Sequence, residues 1–165
     1  MIKKIHTLLI FVLFFQAGHL YAEKTVDVFV IRSNVIKSWI QYSIKLTGDF
    51  NFIGNEPVFG FRKRPGGSRR ELSYFESRYY GIESQRIIND STIELGLKAF
   101  PSRKVIIEIK NRTVISYIDI NGKKCVFIEA MIYAKKGLLT SYTGYADIIG
   151  MDIESKTKVY ERINK

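Results

Sequence analysis

Polar and apolar residues alternate from Ile36 to Leu46. Ile36, Ser38, Ile40, Tyr42, Ile44 and Leu46 fall on one side, and Lys37, Trp39, Gln41, Ser43 and Lys45 on the other. A period of two marks a half-buried β-strand, because successive side chains point to opposite faces of the pleat. Val26 to Ile31, just ahead, is a short apolar run that suits a first strand. After turn residues around Gly48-Asp49 and Gly54-Asn55, Pro57-Val58-Phe59-Gly60-Phe61 predicts another strand, with the proline at its first position or on an edge. Ile93, Leu95, Leu97 and Ala99 alternate again, followed by Val105, Ile107 and Ile109. Val114 to Ile120 and Cys125 to Ala134 are apolar on both faces, as central strands are, and Asn121-Gly122 between them is the pair that a type I′ hairpin turn prefers. A two-residue loop there sets Asp119 opposite Lys124, Ile118 opposite Cys125 and Tyr117 opposite Val126, which predicts a cross-strand Asp119–Lys124 ion pair. Tyr145 to Ile153 predicts a further strand, and Thr157 to Ile163 a closing strand or short helix.

One segment departs from this rhythm. Ser68-Arg69-Arg70-Glu71 has the spacing of a capping box, in which the serine covers an orphan amide and the glutamate reaches back. Leu72, Phe75, Tyr79 and Ile82 then recur at three- and four-residue intervals, the stripe of one helix face, and Gly81 can end the helix in the left-handed conformation. One α-helix is therefore predicted around residues 69–80, covering a sheet face or a barrel mouth. Seven to nine strands with turns every 8–12 residues and a single helix predict a mainly β fold, an antiparallel β-sandwich or a barrel-like sheet with one capping helix.

The first 22 residues do not belong to that pattern. Lys3 and Lys4 precede an unbroken apolar run from Leu8 to Phe15, and Leu20-Tyr21-Ala22 offers a small-residue cleavage site before Glu23. This is the layout of a signal peptide, and the run is too short to span a hydrocarbon core about 30 Å thick. Residues 1–22 are thus expected to be removed. Residues 23–165 would remain as a single exported domain of the periplasm or cell surface, with no transmembrane segment. Both histidines of the chain, His6 and His19, fall in the removable segment. The remaining domain then has no imidazole for a Ser–His–Asp triad, a Cys–His pair or a His-ligated zinc, and no cofactor or metal is expected. Cys125 is the one cysteine, so no intramolecular disulfide can form, and its setting in Cys125-Val126-Phe127-Ile128 predicts burial.

The whole chain has 26 basic and 16 acidic residues; losing Lys3 and Lys4 leaves 24 against 16, a net charge of +8. An exported chain rarely meets nucleic acid, so this charge points instead to anionic lipid head groups, polyanions or acidic glycans, or simply to solubility. The densest basic stretch is Arg62-Lys63-Arg64-Pro65-Gly66-Gly67-Ser68-Arg69-Arg70, with five cations in nine residues. If it feeds a helix N-terminus, free amides and arginine forks converge on an anion. Arg62, Lys63, Arg64, Gly66, Gly67, Ser68, Arg69 and Arg70 are accordingly the candidate anion-binding residues. The competing interpretation is a solvated loop. The spacing is not that of a Walker loop.

Pro57-Val58 before an aromatic strand, Gly66-Gly67, Glu71-Leu72-Ser73 and Tyr80-Gly81-Ile82 form a set, continued by Asn121-Gly122-Lys123, Gly150-Met151-Asp152 and Glu161-Arg162-Ile163. Together they resemble a family of small exported bacterial proteins classed as a domain of unknown function, with similarity running from Val28 to Ile163. Relatives tend to carry Trp near Phe61 and a less basic segment around Gly66-Gly67, and this chain departs at both points. The resemblance implies the fold and export but no catalytic residues.

Without histidine, carboxylates are the strongest general acid–base candidates. Glu129 interrupts an apolar run and Asp147 sits between Ala146 and Ile148. Paired carboxylates hydrolyse glycosides when held about 5–9.5 Å apart. Trp39, Tyr42, Tyr74, Tyr79, Tyr80, Tyr142 and Tyr145 could stack on sugars or fill a core. The sequence therefore predicts a binding or assembly protein rather than an enzyme, with an anionic ligand or an envelope protein as partner. The alternative is a histidine-free, carboxylate-dependent hydrolase or transferase acting on envelope glycans.

Overall fold

The computed structural model describes residues 22–34, 36–136 and 141–164. The segment for which the sequence predicts a signal peptide, apart from Ala22, lies outside them. The strands are β1 (Lys24–Ser33), β2 (Ile36–Leu46), β3 (Val58–Lys63), β4 (Arg69–Glu71), β5 (Ile82–Asn89), β6 (Thr92–Leu97), β7 (Lys104–Lys110), β8 (Thr113–Ile120), β9 (Lys123–Lys136), β10 (Ser141–Asp152) and β11 (Lys158–Asn164). The one helix among the described residues, α1, is Tyr74–Tyr80.

The strands hydrogen-bond in the order β4-β3-β2-β1-β9-β8-β7-β6-β5, with β10 along β9 and β11 outside β10. The long strand β9 organises the fold. Its start, Lys123 to Val126, pairs with β8, and further along Glu129 to Ile132 pairs with Val30 to Ser33 of β1. Because β10 follows β9 along most of its length, β8 and β1 must share the other edge, one after the other. Two leaves, β1–β4 and β5–β8, therefore spread from one spine and enclose the core. Phe29, Ile31, Ile40, Tyr42 and Ile44 come from the first leaf, and Ile93, Leu95, Leu97, Val105, Ile107 and Ile118 from the second. Phe127 of the spine packs against Phe29 and Phe100, with ring centroids 4.7 and 6.1 Å apart. Burying each such side chain stabilises the fold by about 1.5–3 kcal/mol.

The sandwich expected from the sequence is present, but two of its details change. The sheet does not close into a barrel: at the open side β3 and β5 meet through one side chain, where Gln85 donates to the Val58 carbonyl (2.7 Å) and accepts from the Val58 amide (3.0 Å). The β1–β9 pairing is parallel, so the sheet is mixed. The hairpin at Asn121-Gly122 has the predicted register, with both residues at positive φ, 53° and 77°. Its predicted ion pair does not form. Asp119 accepts from the Gly122 amide at 2.9 Å, and Lys124 reaches Glu108 at 2.8 Å while lying over the Tyr117 ring. Cys125 is fully buried, and burial first, then the nearby Asp152 and Asp119 carboxylates, push its thiol pKa up.

The helix expectation needs the largest correction. Residues 69–71 are strand, not helix, and the capping box in use is the next Ser-x-x-Glu along the chain: Ser73 accepts from the Glu76 amide and Glu76 accepts from the Ser73 amide. Gly81 ends the helix in extended backbone, φ −66° and ψ 161°, rather than in the left-handed region. Glycine is needed for another reason: a Cβ there would lie 2.1 Å from the Ser77 carbonyl oxygen. No residue of α1 is buried, and the predicted stripe divides: Phe75, 71% exposed, and Tyr79 face water, while Leu72 and Ile82, just outside the helix, pack against the core. The helix leans on the sandwich through its other side, where Glu76, Ser77 and Tyr80 are half-buried and the Tyr42 hydroxyl donates to the Tyr80 carbonyl. Burial first, then Tyr80 nearby, raises the Tyr42 pKa, so this hydroxyl stays a donor.

Candidate anion-binding site

The basic stretch forms a β-hairpin at the edge of the first leaf. Gly66 and Gly67, at φ 90° and 88°, take the left-handed backbone that the turn needs. The Arg64 amide donates to the Ser68 carbonyl (3.0 Å) and the Gly67 amide to the Arg64 carbonyl (3.1 Å). With the turn so closed, Arg62 lies opposite Arg70, Lys63 opposite Arg69 and Phe61 opposite Glu71. The segment leads into a strand, not into the helix start, so the expected convergence of free helix amides on the loop does not arise.

The pleat sorts the candidates onto two faces. Arg62 and Arg70 share one face, where like charges directly opposite repel. Glu76 of α1 relieves that repulsion. Its carboxylate accepts from Arg62 Nη1 at 2.6 Å and Arg70 Nη2 at 2.9 Å, while Arg62 Nε donates to Ser38 at 2.6 Å. Burial pushes Glu76 up, but the Ser73 amide, Arg70, the Ser73 hydroxyl and Arg62 together outweigh it and hold the carboxyl down at about 2. These two arginines bind the helix to the hairpin and are not free for a ligand.

Lys63 and Arg69 share the other face, beside a groove of about 780 Å³ lined by Lys45, Ile53, Phe59, Phe61, Arg69 and Glu71. Arg69 lies over the Phe61 ring at 5.5 Å and Lys45 over Phe59 at 5.7 Å, so cations coat the aromatic faces. Glu23 pairs with Lys45 at 3.4 Å, and Asp27 stands 4.0 Å from Lys63. Arg64 is exposed at the turn, and among the described residues it has no side-chain hydrogen bond or ion pair. Of the eight candidates, Lys63, Arg64 and Arg69 thus present charge outward, Arg62 and Arg70 are structural, and Gly66, Gly67 and Ser68 shape the turn.

Glu129 and Asp147 lie on adjacent strands, diagonal to one another in the register of β9 and β10. Each is held by an arginine. Arg32 Nε donates to Glu129 at 2.9 Å, and Arg162 grips Asp147 with two bonds of 2.7 and 2.9 Å. Those bonds from Arg162, against burial, lower the Asp147 pKa, which opposes a role as a proton donor near neutrality.

The aromatic candidates divide between core and surface. Tyr42 is in the core, Trp39 lies beside the Arg32 guanidinium, and Tyr145 stacks on Tyr133 at 4.4 Å with Arg162 over its ring at 4.1 Å. Tyr80 is half-buried, Tyr74 and Tyr79 are exposed, and the Tyr142 side chain lies outside what is described. Sequence patterns missed Glu76 as the partner of the two arginines; its signal was the second Ser-x-x-Glu, five residues after the first. Among the described residues no group of three or more His, Cys, Asp or Glu could hold a metal ion, and no helix is long and apolar enough to cross a membrane.

Residues 29–162 match the profile of a family described as Domain of unknown function (DUF4833). Comparison with curated proteins and with solved structures gave no match.

Proposed function

Since the chain belongs to the DUF4833 family, whose description carries no activity, we propose from the site itself that this is an exported, non-enzymatic binding protein. It takes an anionic ligand, whether lipid head group, polyanion or acidic glycan, at the outward face of the β3–β4 hairpin. One observation carries the proposal: Glu76 pairs with both Arg62 and Arg70 and so fixes the hairpin, leaving Arg64 and Arg69 outward with no carboxylate partner among the described residues. A fixed hairpin backbone leaves only the side chains to be ordered when an anion is captured, and their planar forks suit phosphate or carboxylate. Periplasm or cell surface is the compartment proposed, on the pattern of residues 1–22.

Titration with short-chain inorganic polyphosphate at two salt concentrations tests the site. The unaltered protein binds, more weakly at high salt, and Arg64→Glu with Arg69→Glu reduces affinity at least tenfold while Glu129→Gln leaves it unchanged. Equal binding by the charge-reversed protein would contradict the assignment.

A further inference from the structure

The outer edge of β3 is covered on either side of one residue and open at that residue. The Pro57 carbonyl accepts from the Lys45 amide of β2 at 2.9 Å, so odd-numbered residues of this stretch turn their backbone groups toward β2 and even-numbered ones turn theirs away. Val58 gives its outward amide and carbonyl to Gln85, and Arg62 lies opposite Arg70 of β4. Gly60 stands between them. Strand β4 ends at Glu71 and the chain turns into α1, so the next rung of the ladder, between Gly60 and Leu72, does not form. Among the described residues the outward amide and carbonyl of Gly60 have no hydrogen bond, and Gly60 is only half-buried.

Gly60 also lines a cleft of about 400 Å³ between the first leaf, α1 and the start of β5, with Tyr42, Leu72, Tyr80 and Ile82 as its apolar walls. It lies opposite Tyr42 in the β2–β3 register, and a Cβ on it would stand 3.2 Å from the Tyr42 ring, so glycine keeps that space clear. Opposed residues in a ladder send their side chains to the same face. A residue added opposite Gly60 would therefore direct its side chain inward, toward Tyr42. Glu71 and Lys98 line the cleft too, both exposed and neither ion-paired among the described residues, which offers one charge of each sign.

The chemistry this edge accepts is visible one rung away. The Gln85 carboxamide meets Val58 with an N–H and a C=O presented side by side. An extended peptide residue presents the same pair. The trans amide of an N-acetylated sugar points its N–H and C=O in opposite directions and can meet only one of the two groups.

We infer that the β3 edge at Gly60 is a binding site for a short peptide in extended conformation. One peptide residue donates its N–H to the Gly60 carbonyl, accepts from the Gly60 amide and places an apolar side chain in the cleft, while Glu71 and Lys98 meet the ammonium and carboxylate ends. This site is separate from the anion site on the outward face of the hairpin.

NMR titration of the ¹⁵N-labelled protein with the tripeptide alanyl-leucyl-alanine tests it. The Gly60 amide exchanges quickly in the free protein, shifts on titration and becomes protected. The ester analogue, with oxygen in place of the leucyl N–H, binds about tenfold more weakly because the Gly60 carbonyl is left without its donor. Lys98→Glu also weakens the tripeptide, while an unchanged affinity for polyphosphate shows that this variant folds. No shift at Gly60, or equal binding by the ester, overturns the peptide site. So does a Gly60 amide already protected in the free protein, since a second copy or another segment of the chain then covers the edge. The same Gly60 shift with N,N′-diacetylchitobiose overturns the choice of a peptide over a glycan.

Discussion

Two arginines directly opposite on a hairpin repel unless something negative stands between them, and in this protein that residue is Glu76. Its carboxyl is held at about 2, below the ordinary glutamate value of about 4.3 that it has unfolded. A group depressed on folding contributes stability that is full above its unfolded pKa and is lost as pH falls through the folded one. The clamp should therefore be intact at pH 6 and fade between about pH 5 and pH 2. Glu76→Gln is expected to cost about 2 kcal/mol at pH 6, discounted for partial exposure, and close to nothing near pH 2. Denaturant midpoints of both proteins across that range check this. A constant difference at all pH values would show that Glu76 acts through shape rather than charge. The same substitution frees Arg62 and Arg70 and so loosens the hairpin that presents Arg64 and Arg69.

At the level of elements, the open side of the sandwich depends on Gln85, which pairs with both the amide and the carbonyl of Val58 where no strand ladder joins the leaves. Gln85→Ala should cost about 1 kcal/mol and raise hydrogen exchange at the Val58 amide roughly tenfold, with the β8–β9 amides unaffected. Exchange measured by NMR reads both sites together, and an unchanged Val58 amide would mean that packing alone holds the seam. The strands with strict alternation or a strong turn were legible: β2 has the predicted limits, and Asn121-Gly122 fixes the β8–β9 register. Strands β4 and β5 were not. Arg69–Glu71 is too short and too charged to show a period, and β5 is exposed along most of its length, so no core face imprints a pattern on it. The helix was displaced because two capping boxes compete. The positive φ at Gly66 and Gly67 folds residues 69–71 back onto β3 before a helix can start there. Its apolar stripe then misled, because Phe75 and Tyr79 within the helix face solvent and only the flanking Leu72 and Ile82 reach the core.

Across the whole molecule, β9 gathers both leaves on one edge, and the parallel β1–β9 contact joins residues about a hundred positions apart. Local patterns give no register over such a distance, so sandwich was legible but mixed sheet and shared spine were not. The candidate site was half legible for a related reason. Composition located the cations, but only the pleat and a carboxylate from α1 separate the structural Arg62 and Arg70 from the outward Arg64 and Arg69. The central claim is that these outward arginines hold an anionic ligand. Native mass spectrometry of the protein, purified gently from the cells that make it, tests this most directly. The account predicts a co-purifying anionic species on the unaltered protein that is absent from a variant with Arg64→Ser and Arg69→Ser. A bare chain in both preparations, or an adduct that survives the double substitution, would contradict it.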